Sequence, residues 1–206
     1  FWKTVAENEY KVPDGYDLLD LTEELLGYLG SPDPELRDTI AYRTFHNWIN
    51  KHKLYPPEVL RSIRDILIDN LFVGLRQNDP NAALLRSFSA LVLSLIVYYD
   101  TQDAFLEQDE FDDMLDAILR YFEAEHDLRG YDPKVGWVHA LAHSADLLKF
   151  MVRNKKTEDE NHEFILQSIA NKLIASTDVI FIHDEDERLA LTALEIIRRG
   201  EMDFEA

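Results

Sequence analysis

The sequence contains no cysteine among its 206 residues. Disulfide bonds, thiol catalysis and thiolate metal sites are therefore excluded, and the composition fits a reducing, cytoplasmic environment. Common catalytic motifs are missing as well, since the chain has no GxSxG turn, no P-loop and no GxGxxG motif. The acid-rich stretch at 100–111 lacks the glycine that an EF-hand loop needs at its sharp turn.

Long apolar runs are also scarce. The longest run, at 90–99, has half the length that a helix needs to cross a bilayer, so we expect no membrane span. The opening residues FWKTVAENEYKVPDGYD do not combine a basic region with an apolar core, and we expect no secretory signal. Strand patterns are nearly absent, because the best of them, at 178–182, is too short and isolated to found a sheet.

Basic residues are few relative to acidic ones. The chain has 21 Lys and Arg against 40 Asp and Glu, which gives a formal net charge of −19. Such a charge repels both a phosphate backbone and an anionic membrane surface, so we expect no nucleic-acid and no membrane partner. The surplus either solvates the surface or steers a basic partner. The 46% hydrophobic content is typical of a globular chain, and we expect one helical repeat domain over 1–206.

Three Asp-Pro pairs punctuate the chain, at 33–34, 79–80 and 132–133. An aspartate accepts hydrogen bonds from first-turn amides, and proline suits the next position because its missing N–H costs nothing there. Each pair therefore predicts the start of a helix. Asp184, with Glu187 three residues later, predicts a fourth start through an acidic variant of the capping box.

An amphipathic stretch precedes each of these starts, with apolar residues spaced by three and four as on one face of a helix. The four stripes are Leu18, Leu21, Leu25 and Leu29; Leu60, Ile63, Leu67 and Leu71; Phe111, Leu115, Ile118 and Phe122; and Ile165, Ile169 and Leu173. The pattern predicts an all-α fold, namely a right-handed α-α superhelix of about four HEAT-like helix pairs. The starts are unevenly spaced, by 46 and 53 residues, so an irregular helical bundle is the alternative.

The second helix of each predicted pair carries a polar or small-residue stripe. The stripes are Thr39, Arg43, His46 and Asn50; Ala83, Ser87, Ala90, Ser94 and Tyr98; Gly136, His139, His143, Asp146 and Phe150; and Arg188, Thr192, Glu195 and Arg199. Stacked helices would join these stripes into a concave groove, the surface at which solenoids bind. The candidate groove residues are Arg43, His46, Arg86, His139, His143, Asp146 and Arg188, with Arg86 beside the small-residue stripe. Trp48 and Trp137 are expected to pack in the core.

His139 and His143 stand four residues apart, and three interpretations of them stay open. The first is a solvated helix face on which Asp146 pairs with His143. The second is a polar groove for a ligand or peptide. The third is a divalent transition-metal site, with His46 as the best further donor, at which Zn²⁺ or Fe²⁺ activates water. Asp146 lies two turns from His139, which strains a three-ligand arrangement. The adjacent His-Asp pairs at 126–127 and 183–184 lack the other ligands of helical metal phosphohydrolases.

Four segments carry a resemblance to a known family. They are SPDPELRDTIAYRTFHNWI, LLRSFSALVLSLIVYYD, LRGYDPKVGWVHALAHSADLL and DEDERLALTALEIIRR, and the most specific pattern is Gly-Trp-x-His-Ala-x-Ala-His-x-x-Asp at 136–146. Together they resemble the DUF2785 family of uncharacterised bacterial helical proteins over the whole chain. The resemblance implies a bacterial, cytoplasmic, HEAT- or ARM-like protein and supplies no activity.

The sequence thus favours a binding or interaction module that uses a concave polar groove. Its expected partner is an unidentified protein, peptide or small molecule, and no cofactor is expected. The alternative is a metal-dependent hydrolase centred on His139 and His143, so the question of enzymatic activity stays open.

Overall fold

A computed structural model describes residues 1–77, 79, 82–176 and 178–199. The described chain is mostly helical, with one short β-hairpin, so the expected all-α class is confirmed. The helices are α1 Trp2–Glu7, α2 Leu18–Tyr28, α3 from Glu35 to Lys51, α4 Pro57–Asn70, α5 Ala83–Gln102, α6 Gln108–Ala124, α7 Ala140–Arg153, α8 Asp159–Ala175 and α9 Glu185–Arg199. The hairpin strands are β1 Tyr131–Asp132 and β2 Gly136–Trp137, which pair antiparallel.

Helix α3 departs from regular α-helical geometry. It runs as a π-helix over Glu35–Tyr42, an α-helical turn over Arg43–His46 and a second π-helix over Asn47–Lys51. π-Helical turns are rare and occur frequently at functional sites. The wider turns also shift side chains away from the 100° spacing assumed for the stripe on this helix.

The structure confirms some of the four predicted helix starts and not others. Asp33 Oδ1 accepts from the Glu35 amide at 2.9 Å, so the first start is confirmed. For the second, Pro80 lies outside the described residues, and α5 begins at Ala83. The third is wrong, because Asp132 ends β1 and its Oδ1 accepts from the Lys134 amide at 2.8 Å. An aspartate side chain can accept hydrogen bonds from the amides of a turn as well as from those of a helix start, and Asp132 does the former.

The fourth start is placed correctly, but its predicted cap is wrong. Helix α9 begins at Glu185, and Asp184 has a φ of +66° rather than the extended conformation of an N-cap. The side chain of Glu185 reaches back instead, and its Oε2 accepts from the His183 amide at 3.0 Å. The acidic first turn of α9 still complements the helix dipole.

The helices form two contacting layers. The first members α2, α4, α6 and α8 each contact the helix that follows them, and α4, α6 and α8 contact one another in turn. The second members α3, α5, α7 and α9 form the other layer, with contacts from α3 to α5, from α5 to α7 and from α7 to α9.

Helix α5 lies at the centre and is buried on almost all sides. By length and composition alone it could cross a membrane, which corrects the expectation that no stretch is long enough. In the fold, 83% of its most apolar window is buried against other helices. Its position between neighbours accounts for its apolar composition.

The apolar stripes form the core nearly as predicted. Leu18 is half-buried, Leu173 is 41% exposed and the other residues of the four stripes are buried. Trp48 is fully buried, as expected. Trp137 is 40% exposed, and its predicted core role is wrong because the chain around it forms the hairpin rather than a helix.

We predict that Leu67→Ala lowers the free energy of unfolding by about 2–5 kcal/mol, because Leu67 is fully buried in the core. The matched control is Leu173→Ala, because the Leu173 side chain is exposed. We expect this variant to lose less than about 0.5 kcal/mol of unfolding free energy. Urea denaturation followed by circular dichroism measures both. Equal losses in the two variants would contradict the assignment of Leu67 to the core.

Candidate functional site

A cleft opens where three second-layer helices meet, and we name it the central cleft. Its volume is about 330 Å³. It is lined by Tyr42, His46 and Asn50 of α3, Leu91, Ser94, Leu95 and Tyr98 of α5, and Asp146 and Phe150 of α7. The polar stripes of three successive second helices therefore share one wall.

Asp146 is held at the central cleft by two cations. Its Oδ2 lies 2.6 Å from Arg188 Nη1 and its Oδ1 lies 2.6 Å from Lys149 Nζ. The predicted pairing of Asp146 with His143 is replaced by these two contacts. The double pairing fixes the carboxylate in position and neutralises it.

Tyr42 reports the charges around the cleft. Burial raises the pKa of its hydroxyl, and the nearby carboxylates Asp146 and Asp38 raise it further, while Arg188 and Arg43 oppose the shift. Two predicted groove residues, His46 and Asp146, line the central cleft, and Arg188 reaches it through its contact with Asp146. Arg43 is exposed on α3 and is not among the described lining residues.

Arg86 is a predicted groove residue that lies elsewhere. It is 1% exposed and forms a buried two-pronged ion pair with Glu125, with Nε to Oε2 at 2.6 Å and Nη2 to Oε1 at 2.9 Å. Its Nη1 donates to the carbonyl of Val73 at 3.0 Å. The groove assignment of Arg86 is wrong, because its side chain turns toward the end of α6 and away from the central cleft.

His143 is buried rather than solvated. Its Nδ1 lies 2.8 Å from Ser87 Oγ, and that hydroxyl donates to the carbonyl of Val138. Since the hydroxyl proton is used there, His143 Nδ1 carries the proton in its contact with Ser87. Burial lowers the pKa of His143 well below its usual 6.5, and the neighbouring His139 and Arg188 lower it further. The solvated-face interpretation therefore does not describe this histidine.

His139 lies just before α7, with a φ of +51°. It is buried, and its ring stacks on Trp137 with centroids 4.4 Å apart. Burial lowers its pKa, as does the charge of Arg188. The helical wheel placed it on the stripe of α7, but the left-handed turn sends its side chain toward the hairpin and the start of α9.

Glu185 faces His139 and was not found by sequence reasoning. Its Oε1 lies 3.8 Å from His139 Nε2 and 3.9 Å from His183 Nδ1. Both Glu185 Oε1 and His139 Nε2 are buried without a hydrogen-bond partner. A Cβ at Gly130 would lie 2.4 Å from Glu185 Oε1 and from His183 Nδ1, so a larger residue there would displace these side chains. Nothing in the local pattern sets Glu185 apart from the other acids of the first turn of α9.

Residues 71–206 match a family model described as a protein of unknown function, DUF2785. The chain belongs to the DUF2785 family. The match begins where α4 ends, so it covers α5 to α9, whereas α3, one wall of the central cleft, precedes it. No curated protein and no solved structure matches the chain.

The two predicted metal-ligating histidines of this DUF2785 protein make different contacts. The rings of His139 and His143 meet edge to face, with centroids 5.6 Å apart. His46 lines the central cleft, whereas His143 bonds to Ser87 and His139 stacks on Trp137. Within the described ranges, no three or more His, Asp or Glu side chains are arranged to hold a metal ion.

We predict that acidification destabilises the fold below about pH 6.5. The pKa of His143 is lowered in the folded state, so the unfolded chain binds a proton that the folded chain does not. Stability is therefore full above pH 6.5 and falls with decreasing pH, by up to about 1.4 kcal/mol per pH unit for one such histidine. His143→Gln should flatten this slope in urea titrations between pH 7.5 and 5. The exposed His126→Gln is the matched control, and an equal change in slope for both variants would contradict the assignment.

We also predict strong coupling between Arg86 and Glu125. Glu125→Leu leaves a buried guanidinium without its carboxylate and should cost about 3–5 kcal/mol of folding free energy. Adding Arg86→Met should recover part of that loss, because two apolar side chains then replace a broken pair. A double-mutant cycle by chemical denaturation measures the coupling. Additive losses would show that the pair is energetically unimportant.

Proposed function

We propose that this DUF2785 protein is a binding module that takes up a peptide segment in the central cleft. The proposed architecture is a right-handed α-α superhelix of about four HEAT-like pairs, with the second helices along the concave wall. The chain of contacts from α3 through α5 and α7 to α9 supports this arrangement. In such stacks the concave face is where partners bind.

The single observation that carries the proposal is the mixed chemistry of the cleft. Its aromatic side is formed by Tyr42, Tyr98 and Phe150, with Tyr98 40% exposed and its ring edge-on to Phe150 at 5.5 Å. Its polar side contains His46 and Asp146. Ligand sites combine an apolar surface with a few fixed polar groups in this way.

The size of the cleft favours insertion of one side chain from a longer partner. A volume of about 330 Å³ is at the lower end of the usual range for small-molecule sites. The cations around Phe150 add specificity, since Lys149 Nζ lies 5.3 Å and Arg153 Cζ 5.7 Å from the ring centroid. The partner we propose is a protein or peptide segment with an aromatic or aliphatic anchor, although a small molecule could use the same surface.

The amino-acid composition indicates which partners and which cellular compartment suit the proposed binding module. A net charge of −19 disfavours nucleic acid and anionic membranes as partners, and the cysteine-free sequence suits a cytoplasmic location. The π-helical turns of α3 support a functional role for the wall that holds Tyr42 and His46, because such turns recur at binding sites.

Peptides that bind the wild-type protein can be selected from a random display library. We predict that these peptides bind the Tyr98→Ala variant at least about tenfold more weakly, because the variant lacks the exposed aromatic surface of the cleft. Fluorescence anisotropy measures the dissociation constants. Tyr131→Ala, which removes a similarly exposed aromatic residue from the hairpin, is the matched control and should change affinity less than twofold. Selected peptides that bind Tyr98→Ala as tightly as the wild type would overturn the cleft assignment.

The metal content of the protein tests the hydrolase alternative. Elemental analysis of the purified wild type is compared with the double variant His139→Ala and His143→Ala. Stoichiometric divalent metal that disappears in the double variant would favour a metal-dependent hydrolase over the binding module. Retention of the selected peptides by the double variant would support the central cleft as the binding surface.

A further inference from the structure

We propose that a second cleft of this protein binds a small organic anion, a carboxylate or phosphate monoester that carries an aromatic or apolar group. This cationic cleft lies between the segment after α4 and the C-terminal end of α6, and its volume is about 720 Å³. It is lined by Phe72, Gly74, Leu75, Arg76, Gln77, Arg120, Ala124 and His126. It shares no residue with the central cleft, so the proposal stands independently of the function proposed above.

The charge of the lining points to an anion. In a chain where acidic residues outnumber basic ones 40 to 21, the described residues of the lining include Arg76 and Arg120 and neither Asp nor Glu. Arg120 also pairs with Asp116 at 3.0 Å, but both side chains are well exposed and such pairs contribute little. Its planar guanidinium therefore keeps donors for a second anion, and the His126 imidazole adds a further polar group.

The aromatic surface beside the cations points to the rest of the ligand. Phe72 is 38% exposed, and Arg120 Cζ lies 5.7 Å from its ring centroid. An aromatic acid can therefore place its ring against Phe72 while its anionic group meets the guanidinium groups. The volume of about 720 Å³ is within the usual range for sites that bind small molecules.

The two walls of the cationic cleft are fastened from beneath by the buried pair of Arg86 and Glu125. Arg86 Nη1 donates to the Val73 carbonyl in one wall, while Nε and Nη2 hold Glu125, between Ala124 and His126, in the other. Lys172 Nζ donates to the Glu125 carbonyl at 2.8 Å. Walls held in this way are ordered before a ligand arrives, which lowers the entropic cost of binding.

The turn at Gly74 closes the first wall. Gly74 has a φ of +65°, and a Cβ there would lie 2.8 Å from Ala82 Cβ. Only glycine satisfies both conditions. The chain consequently turns sharply between Phe72 and Arg76 and presents both side chains to the same cleft.

The experiment titrates uniformly ¹⁵N-labelled protein with phenyl phosphate, benzoate and inorganic phosphate, followed by NMR. We expect saturable shifts of the Gly74 amide and of the Arg76 and Arg120 Nε–H signals with the aromatic anions, and weaker affinity at high salt. Inorganic phosphate, which lacks the ring, should bind more weakly than phenyl phosphate. The order of phenyl phosphate and benzoate identifies which of the two anionic groups the cleft prefers.

Variants make the assignment specific. Arg76→Ala combined with Arg120→Ala should weaken phenyl phosphate at least about tenfold, because two charge-assisted contacts are lost. Arg76→Lys combined with Arg120→Lys should restore part of the affinity by restoring charge. Arg198→Ala, at an exposed arginine of α9 that lies in neither cleft lining, is the matched control and should leave binding unchanged.

Three results would overturn the proposal. The first is no saturable shift with either aromatic anion, which would leave the arginines as solvated surface cations. The second is equal binding of uncharged benzyl alcohol, which would show that the anion is irrelevant. The third is equal loss of binding in Arg198→Ala, which would place the anion elsewhere.

Discussion

The burial of helix α5 is the constraint on which the rest of the structure depends. Because neighbours from both layers cover it, most of its surface is apolar, and its buried Arg86, Ser87 and Asp100 have partners inside the protein. Side chains of α5 contribute to the surroundings of both clefts. Ser94 and Tyr98 face the central cleft, while Arg86, further toward the N-terminus, reaches Glu125 beneath the cationic cleft. One buried helix thus organises two separate surfaces.

Buried polar side chains connect parts of the chain that are far apart in sequence. Arg37 in α3 is fully buried, and its Nη2 donates to the carbonyls of Val135 at 2.7 Å and Trp137 at 3.0 Å. Ser87 in α5 bridges His143 in α7 and the Val138 carbonyl. These contacts hold the hairpin against the second-layer helices. A hydrogen bond to a buried charge contributes more than a neutral one, and an unmade one costs more, so such contacts specify the arrangement.

Sequence periodicity predicted the helices and most of the core, because burial on one helical face is a local pattern. Leu60, Ile63 and Leu67 could be read from their spacing alone. It also brought together His46 and Asp146, to which Arg188 is paired, since residues on corresponding faces of adjacent helices come close when the helices pack. The position of the Arg86 side chain could not be predicted in this way. A long side chain beside the stripe can turn to either side, and its direction depends on Glu125, 39 residues away.

The junction between the third and fourth helix pairs shows why the rest could not be predicted. A helical wheel assumes that the helix has already begun, but α7 begins at Ala140, one residue after His139. His139 and Asp184 both adopt left-handed backbone conformations, at φ of +51° and +66°, and such conformations persist only where the surroundings impose them. Trp137 stacks on His139 from one side, and Gly130 gives Glu185 and His183 room to approach from the other. These conditions come from tertiary contacts between residues 130–139 and 183–185, so no single window of sequence contains them, and the direction of the His139 side chain is a property of the assembled fold.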